Sequence, residues 1–349
     1  MVTFFGRGKQ TVGLDVGSGY IKVVAVDHSG AQPEVTHLAY TPQVADAIVE
    51  GEVMDPQLVT DTIRSLFESA GIKGKSVATS VGGRDVIVKK IQMDRMKPAE
   101  AREVIRWEAE HYVPFDMENV ELDFQILNPE EDGLQMDVLL VAAKREVVDH
   151  KTALLIDAGV APAIVDVDAF ALYNAFAYNY PDAMDGTVAL VNVGHELSTV
   201  NVVQGGGPVL TRDLPFGSRR LREELRRVHG LDVEEAEKVV EGRSERQGEF
   251  GDTLREKAQE LAVGVERAVA FLSMGGGEEA TLERVFLCGG GARVPGLVDA
   301  VGERLGVRTE VANPFQRLHA RAGVTEFFPT EELAPMLMLP VGLALRKAA

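Results

Sequence analysis

Val12-Gly13-Leu14-Asp15-Val16-Gly17-Ser18-Gly19-Tyr20-Ile21-Lys22-Val23-Val24 and Val188-Ala189-Leu190-Val191-Asn192-Val193-Gly194 follow one pattern. Each is an apolar strand that ends in a short polar residue, a hydrophobe and a glycine. Small or polar residues follow, and then more β-prone ones. Ile21 to Val26 reads as the return strand of the first hairpin, and Thr199 to Val203 as that of the second. A tip built of glycine and hydroxyl-bearing residues turns backbone N–H groups toward an anion, because glycine accepts φ > 0 and lets a phosphate approach the backbone closely. The two copies stand 177 residues apart in register, Asp15 with Asn192 and Gly17 with Gly194. That duplication predicts two related domains gripping one polyphosphate.

A third stretch, Val285 to Leu297, reads as a strand, the triplet Gly289-Gly290-Gly291 and the start of a helix near Pro295. Such a surface lacks side chains, so a purine ring can lie against backbone; the bland reading is a flexible strand-to-helix connection. The order along the chain is phosphate hairpin, second phosphate hairpin, glycine platform.

At 349 residues the chain exceeds one typical core, so two domains with an insertion are expected. No run of eighteen apolar residues occurs, and Met1 to Gln10 lacks the apolar core of a signal peptide, which predicts a cytoplasmic protein. The single cysteine, Cys288, excludes an internal disulfide. A net charge of −18 argues against nucleic acid or an anionic membrane surface as a direct partner. The seven histidines show no metal-ligand spacing.

The expected boundaries are 1–85 for the first part of lobe one, 86–165 for an inserted α/β subdomain, 166–187 for the return to lobe one, 188–335 for lobe two and 336–349 for a closing helix. A helix over 55–70 carries Leu58, Thr62, Leu66 and Phe67 on its inner side and is closed by Gly71. Within the insertion, strand 86–91, helix 99–113, strands 122–127 and 137–142, helix 146–158 and strand 164–167 give a β-α-β-β-α-β order. Helix 218–228 ends at Gly230. Asp232 caps helix 233–241, with Glu235 as its capping-box partner. The helix over 254–273 buries Leu254, Leu261, Val265, Ala268 and Leu272. Met336 to Leu345 is apolar and too short to span a bilayer.

The order of motifs resembles the actin-like ATPase superfamily, whose α/β fold is two-lobed and ribonuclease H-like. The flanking residues resemble the type IV pilus assembly protein PilM family within it. The resemblance is carried by Phe4-Phe5-Gly6 ahead of the first hairpin, by Glu108-Ala109-Glu110-His111-Tyr112-Val113-Pro114-Phe115, by Asp166 to Leu172 and by Leu339 to Leu345. It implies an ATP site between the lobes. Gly17, Ser18 and Gly19 would meet the β- and γ-phosphates, with Asp15 near Mg²⁺ through water. Lys22 either adds a point charge there or is a solvated strand lysine. Gly194 and Ser198 or Thr199 would form the second phosphate hairpin, and Gly289, Gly290 and Gly291 would face the adenosine. Glu235 and Lys238, three apart on one helix face, either contact the nucleoside or form a surface ion pair.

Asn192 departs from the family pattern, which usually has aspartate in members that hydrolyse ATP well. A neutral amide weakens cation coordination, so binding is expected to survive better than turnover. Asp166 and Asp168 remain as water-positioning candidates, or else serve as helix N-caps. The resemblance also implies a groove for the short N-terminal cytoplasmic tail of the inner-membrane protein PilN, beside other pilus-machine components and possibly further copies of the chain. That would place the protein at the inner membrane through a partner, without direct insertion. Trp107, Tyr112, Val113 and Phe115 are the candidates for that groove, against the alternative that they form the subdomain's own core. Two other families share the fold. Cell-division FtsA proteins end in a basic amphipathic helix, whereas this chain stops at Leu345-Arg346-Lys347-Ala348-Ala349; small-molecule kinases need a substrate-pocket carboxylate base, for which no motif stands out.

Overall fold

The computed structural model describes residues 10–346 apart from 45, 130–132, 275–280, 325 and 327–332, and the side chains of 272–274 also lie outside the description. Phe4-Phe5-Gly6 and the Leu272 side chain therefore fall outside the described residues.

The first half contains strands β1 (Gln10–Val16), β2 (Tyr20–Asp27), β3 (Glu34–Pro42), β4 (Ile48–Val49) and β5 (Glu52–Val53), then helix α1 (Pro56–Ser69) and β6 (Ser76–Val81). There follow β7 (Val86–Asp94), α2 (Pro98–Ala109), β8 (Val120–Ile126), β9 (Gln135–Lys144), α3 (Arg145–Asp157), β10 (Ala161–Val167) and α4 (Asp168–Asn179). The second half holds β11 (Val188–Val193), β12 (Ser198–Gln204), β13 (Gly207–Leu214), α5 (Ser218–His229), α6 (Val233–Val240) and α7 (Gly251–Met274). It continues through β14 (Arg284–Cys288), α8 (Leu297–Leu305), β15 (Arg308–Val311), β16 (His319–Ala320) and α9 (Met338–Leu345).

Two sheets carry the lobes. The first has the order β10-β6-β1-β2-β3-β16 and the second β13-β12-β11-β14-β15. In each, an antiparallel hairpin (β1–β2, β11–β12) lies beside a parallel strand (β6, β14). One apolar core takes residues from both: Val24 of lobe one, Leu190 and Phe286 of lobe two, and Leu172, Phe176, Leu337 and Leu343 from the segments between. Helices α4 and α9 thus form the hinge layer. Close approach there demands glycine: a Cβ on Gly13 would stand 2.7 Å from the Ala344 nitrogen, and one on Gly342 would collide with the Ala171 carbonyl. The apolar tail is a buried helix, as its composition predicts.

Three expectations shift. The buried stripe of α1 is Val59, Ile63, Leu66 and Phe67, one position on from Leu58 and Thr62, since Asp55 caps the helix by accepting from the Leu58 N–H. Helix α2 stops at Ala109, and the next residues close tight turns, with the Tyr112 N–H donating to the Ala109 carbonyl at 2.9 Å. The expected unit 86–165 divides between two layers. β7, β9 and β8 make a separate three-stranded antiparallel sheet whose core takes Ala101, Ile105 and Ala109 of α2. By contrast β10 pairs in parallel with β6, and Leu154 and Leu155 of α3 join the lobe-one core with Ile63 and Val77. Strand period alone does not say which sheet a strand joins.

Candidate functional site

Both hairpins close in the same way. The Gly17 N–H donates to the Tyr20 carbonyl at 3.2 Å, and the Gly194 N–H donates to the Leu197 carbonyl at 3.0 Å. The register carries the match into the strands, where Asp15 faces Lys22 and Asn192 faces Thr199. Because the glycine donors complete the turns, the residues left to meet a ligand are the tips, Ser18-Gly19 and His195-Glu196. Both tips line one cleft of about 1160 Å³ between the lobes. They nearly touch: a Cβ on Gly19 would lie 3.0 Å from the His195 Cβ.

The floor of the cleft is built from charged groups. Lys22 forms an ion pair with Asp15, with both side chains largely buried, so the reading of Lys22 as a solvated strand lysine falls. Thr199 donates to the Asp213 carboxylate at 2.8 Å, and burial raises that carboxyl above its ordinary range. Asp168 opens α4 at the same floor. Burial, with Asp15 and Asp213 adding repulsion, pushes its carboxyl up to about 6, against the opposing pull of the Ser80 hydroxyl and Lys151. Lys151, from α3, donates to the Val16 carbonyl at 3.3 Å. Burial pulls its ammonium down, opposed by the charges of Asp168 and Asp15.

Lobe two supplies a second wall. The first N–H groups of α5 are taken by the hairpin, Ser218 donating to the Gly194 carbonyl at 3.0 Å and Arg219 to that of His195 at 2.8 Å. Arg222 lies 2.9 Å from both ring nitrogens of His195 and pairs with Glu237. Burial, reinforced by Arg222 and then Arg219, depresses the His195 imidazole to about 4, so it is neutral at neutral pH. Across the mouth, Arg219 reaches Asp46 of lobe one at 3.2 Å, and the Glu50 N–H donates to Glu196 at 2.6 Å. Glu237 and Val240 of α6 and the following Glu241 line the cleft.

Several expected residues stand elsewhere. Glu235 accepts from the Ser244 hydroxyl at 2.6 Å, so it makes no reciprocal cap, and Lys238 pairs with Glu234 at 2.7 Å. Neither lines the cleft, because the face of α6 that does so is rotated toward positions 237 and 241. Ser198 is fully buried and donates to the Phe216 carbonyl at 2.8 Å, which leaves Thr199 as the hydroxyl on the cleft. Asp166 is buried in an ion pair with Arg346 beyond α9 and does not reach the cleft; Asp168 does. Of the glycine triplet, Gly289 and Gly290 line the cleft. Gly289 has φ +83° and would place a Cβ 2.5 Å from the Val193 carbonyl; Gly291 is buried against Val193, whereas a Cβ on Gly290 would meet nothing within 4 Å. Neither the α6 face nor Lys151 has a local sequence signal, while Asp213 is implied only once β13 is placed opposite Thr199.

The candidate partner residues separate. Val113 belongs to the core of the small sheet, and Trp107 stands 70% exposed on α2. Tyr112 and Phe115 are half-buried under the lysines 89 and 144, at 4.7 and 5.3 Å from their ring centres. The wall of the same cleft also carries the apolar residues Ile48, Val53, Pro56, Val147 and Leu154, set among charged ones such as Glu50, Glu52, Arg84 and Glu146.

Two sheets of matching topology, a hinge layer of two helices and paired hairpins over one cleft define an actin-like two-lobed protein. Residues 13–348 match the family model of type IV pilus assembly protein PilM, and the chain belongs to that family. It is similar to a solved PilM-PilN type IV pilus biogenesis complex, with 29% identity, TM-score 0.86, and coverage of 99% of this chain and 100% of that one. More distant likenesses show the fold alone. The ethanolamine utilization protein EutJ from Carboxydothermus hydrogenoformans has 19% identity and TM-score 0.58, covering 99% of this chain and 92% of its own. MreB5 of Spiroplasma citri, solved with ADP, has 10% identity and TM-score 0.51, covering 96% and 94%. No described helix is long and apolar enough to cross a membrane.

Proposed function

We propose that this pilus assembly protein holds ATP between its two hairpins, turns it over slowly if at all, and docks the cytoplasmic tail of a PilN-type inner-membrane protein. The doubled hairpin carries the nucleotide reading: two tips from related sheets converge on one cleft floored by lysine and carboxylates. Asp15 and Asp168 suit a Mg²⁺ held mainly by water and phosphate oxygens, since among the described residues no group of three or more acidic, histidine or cysteine side chains is placed to hold a metal. Bound there, Mg²⁺ would neutralise phosphate charge. Asn192 offers only a neutral amide beside that floor, and Asp168 is the carboxylate left to orient a water.

The peptide reading rests on the likeness to a PilM-PilN complex over the whole chain and on the apolar residues Ile48, Val53, Pro56 and Val147 of the cleft wall. Apolar side chains on a cleft wall can take an extended or helical tail, with a buried side chain as anchor. Such a partner would hold the protein at the inner-membrane surface from the cytoplasm. Titration of a labelled tail peptide tests this. Val147→Glu should abolish binding and Trp107→Ala should leave it within about twofold. Binding that survives Val147→Glu and is lost in Trp107→Ala would move the site to the outer face of α2.

A further inference from the structure

We propose that Lys151 is the residue of the cleft floor that takes the phosphate chain of the bound nucleotide. The proposal rests on the nucleotide reading above. Every other lysine or arginine lining the cleft already has a carboxylate partner. Lys22 pairs with Asp15, Arg84 with Glu50, Arg219 with Asp46 and Glu196, and Arg222 with Glu237, while Arg243 and Arg293 share Glu241. Lys151 has no carboxylate within 4.0 Å among the described residues, and its hydrogen bond to the Val16 carbonyl is long, at 3.3 Å. An ammonium carries three donors, and a half-buried one without a counter-ion is unfavourable until an anion arrives.

Its position suits that anion. The Val16 carbonyl immediately precedes Gly17, so the ammonium sits beside the last pair of the first hairpin before its tip. Asp15 and Asp168 attract it only at longer range, and Asp15 is already compensated by Lys22. Helix α3 is anchored by Leu154 and Leu155 in the lobe-one core, so Lys151 is presented from a rigid element. A polyphosphate lying between the tips would have this ammonium within the same cleft, beside the end of β1.

The test is calorimetry with ATP, ADP and AMP on the full chain, its Lys151→Met and its Lys151→Arg variants, each checked for folding by circular dichroism. Methionine keeps the apolar stem and removes the charge. The expected result is an ATP affinity lowered on the order of tenfold or more in Lys151→Met, AMP unchanged within about twofold, and ATP binding largely restored in Lys151→Arg. If Lys151→Met fails to fold, Lys151→Gln is read in the same way. Unchanged ATP affinity, or an equal loss for all three nucleotides, overturns the proposal while leaving the nucleotide reading in place. A parent protein that binds none of the three overturns both.

Discussion

Asp168→Asn should stabilise the protein at neutral pH, and the gain should disappear on acidification. The carboxyl is raised to about 6 from an ordinary 3.8, chiefly by burial. A raised folded-state value means that the ionised form is disfavoured in the fold. Below about pH 4 the group is protonated folded and unfolded alike and has no effect. Between about pH 4 and 6 the unfolded chain ionises first, so the fold loses about 1.4 kcal/mol per pH unit. Above about pH 6 the penalty is constant, at about 3 kcal/mol. Asparagine has the same shape and still accepts from the Ser80 hydroxyl, so removing the charge should return about 2–3 kcal/mol at pH 8 and almost nothing at pH 4. Urea denaturation of both proteins at the two pH values measures this as a shift in midpoint at constant slope. A variant that is less stable at pH 8, or equally more stable at both, would refute the burial argument. A gain confined to high pH would show a carboxylate retained against stability at the floor of the cleft, where perturbed groups mark function.

Gly342→Ala should lose about 3 kcal/mol or more, or fail to fold, because the new Cβ meets the Ala171 backbone with no side chain able to yield; denaturation midpoints report it. Gly290→Ala, with nothing within 4 Å of its Cβ, should keep full stability but weaken adenine-nucleotide binding in calorimetry. Arg219→Ala removes the link to Asp46 across the cleft mouth, together with the pair to Glu196 in its own lobe, and should speed nucleotide release several-fold in stopped flow with a fluorescent nucleotide, a modest effect because the pairs are partly exposed. Phosphate release by the parent should stay below roughly 1 per second and rise in Asn192→Asp; turnover at ordinary enzyme rates in the parent would contradict the role given to Asn192.

The two hairpins, the glycine step after the buried strand and the apolar closing segment were legible in the sequence because each is local. Strand period, a glycine at a turn and a run of apolar residues are set by neighbours along the chain. The same local signals put Asp15 opposite Lys22 in hairpin register, but they left the role of Lys22 open and did not choose between Ser198 and Thr199. They failed wherever two elements had to meet. Asp166 and Asp168 are two residues apart on the chain, yet one is buried against Arg346 and the other opens onto the cleft. Glu235 and Glu237 share one helix, and only the packing of Ala236, Val239 and Val240 in the lobe-two core decides which of them faces the cleft.

The sequence by itself determined the doubled motif and the class of fold, since these rest on backbone geometry and on motifs that a few residues dictate. Only the tertiary structure decided that β10 and α3 belong to lobe one, that Lys151 comes to the tip end of the first hairpin, and which apolar and charged side chains share the wall of the cleft. Those facts depend on which apolar faces bury against one another, and burial is a property of surfaces brought together from distant parts of the chain. It sets where a helix is rotated and which of its polar residues is left facing open space.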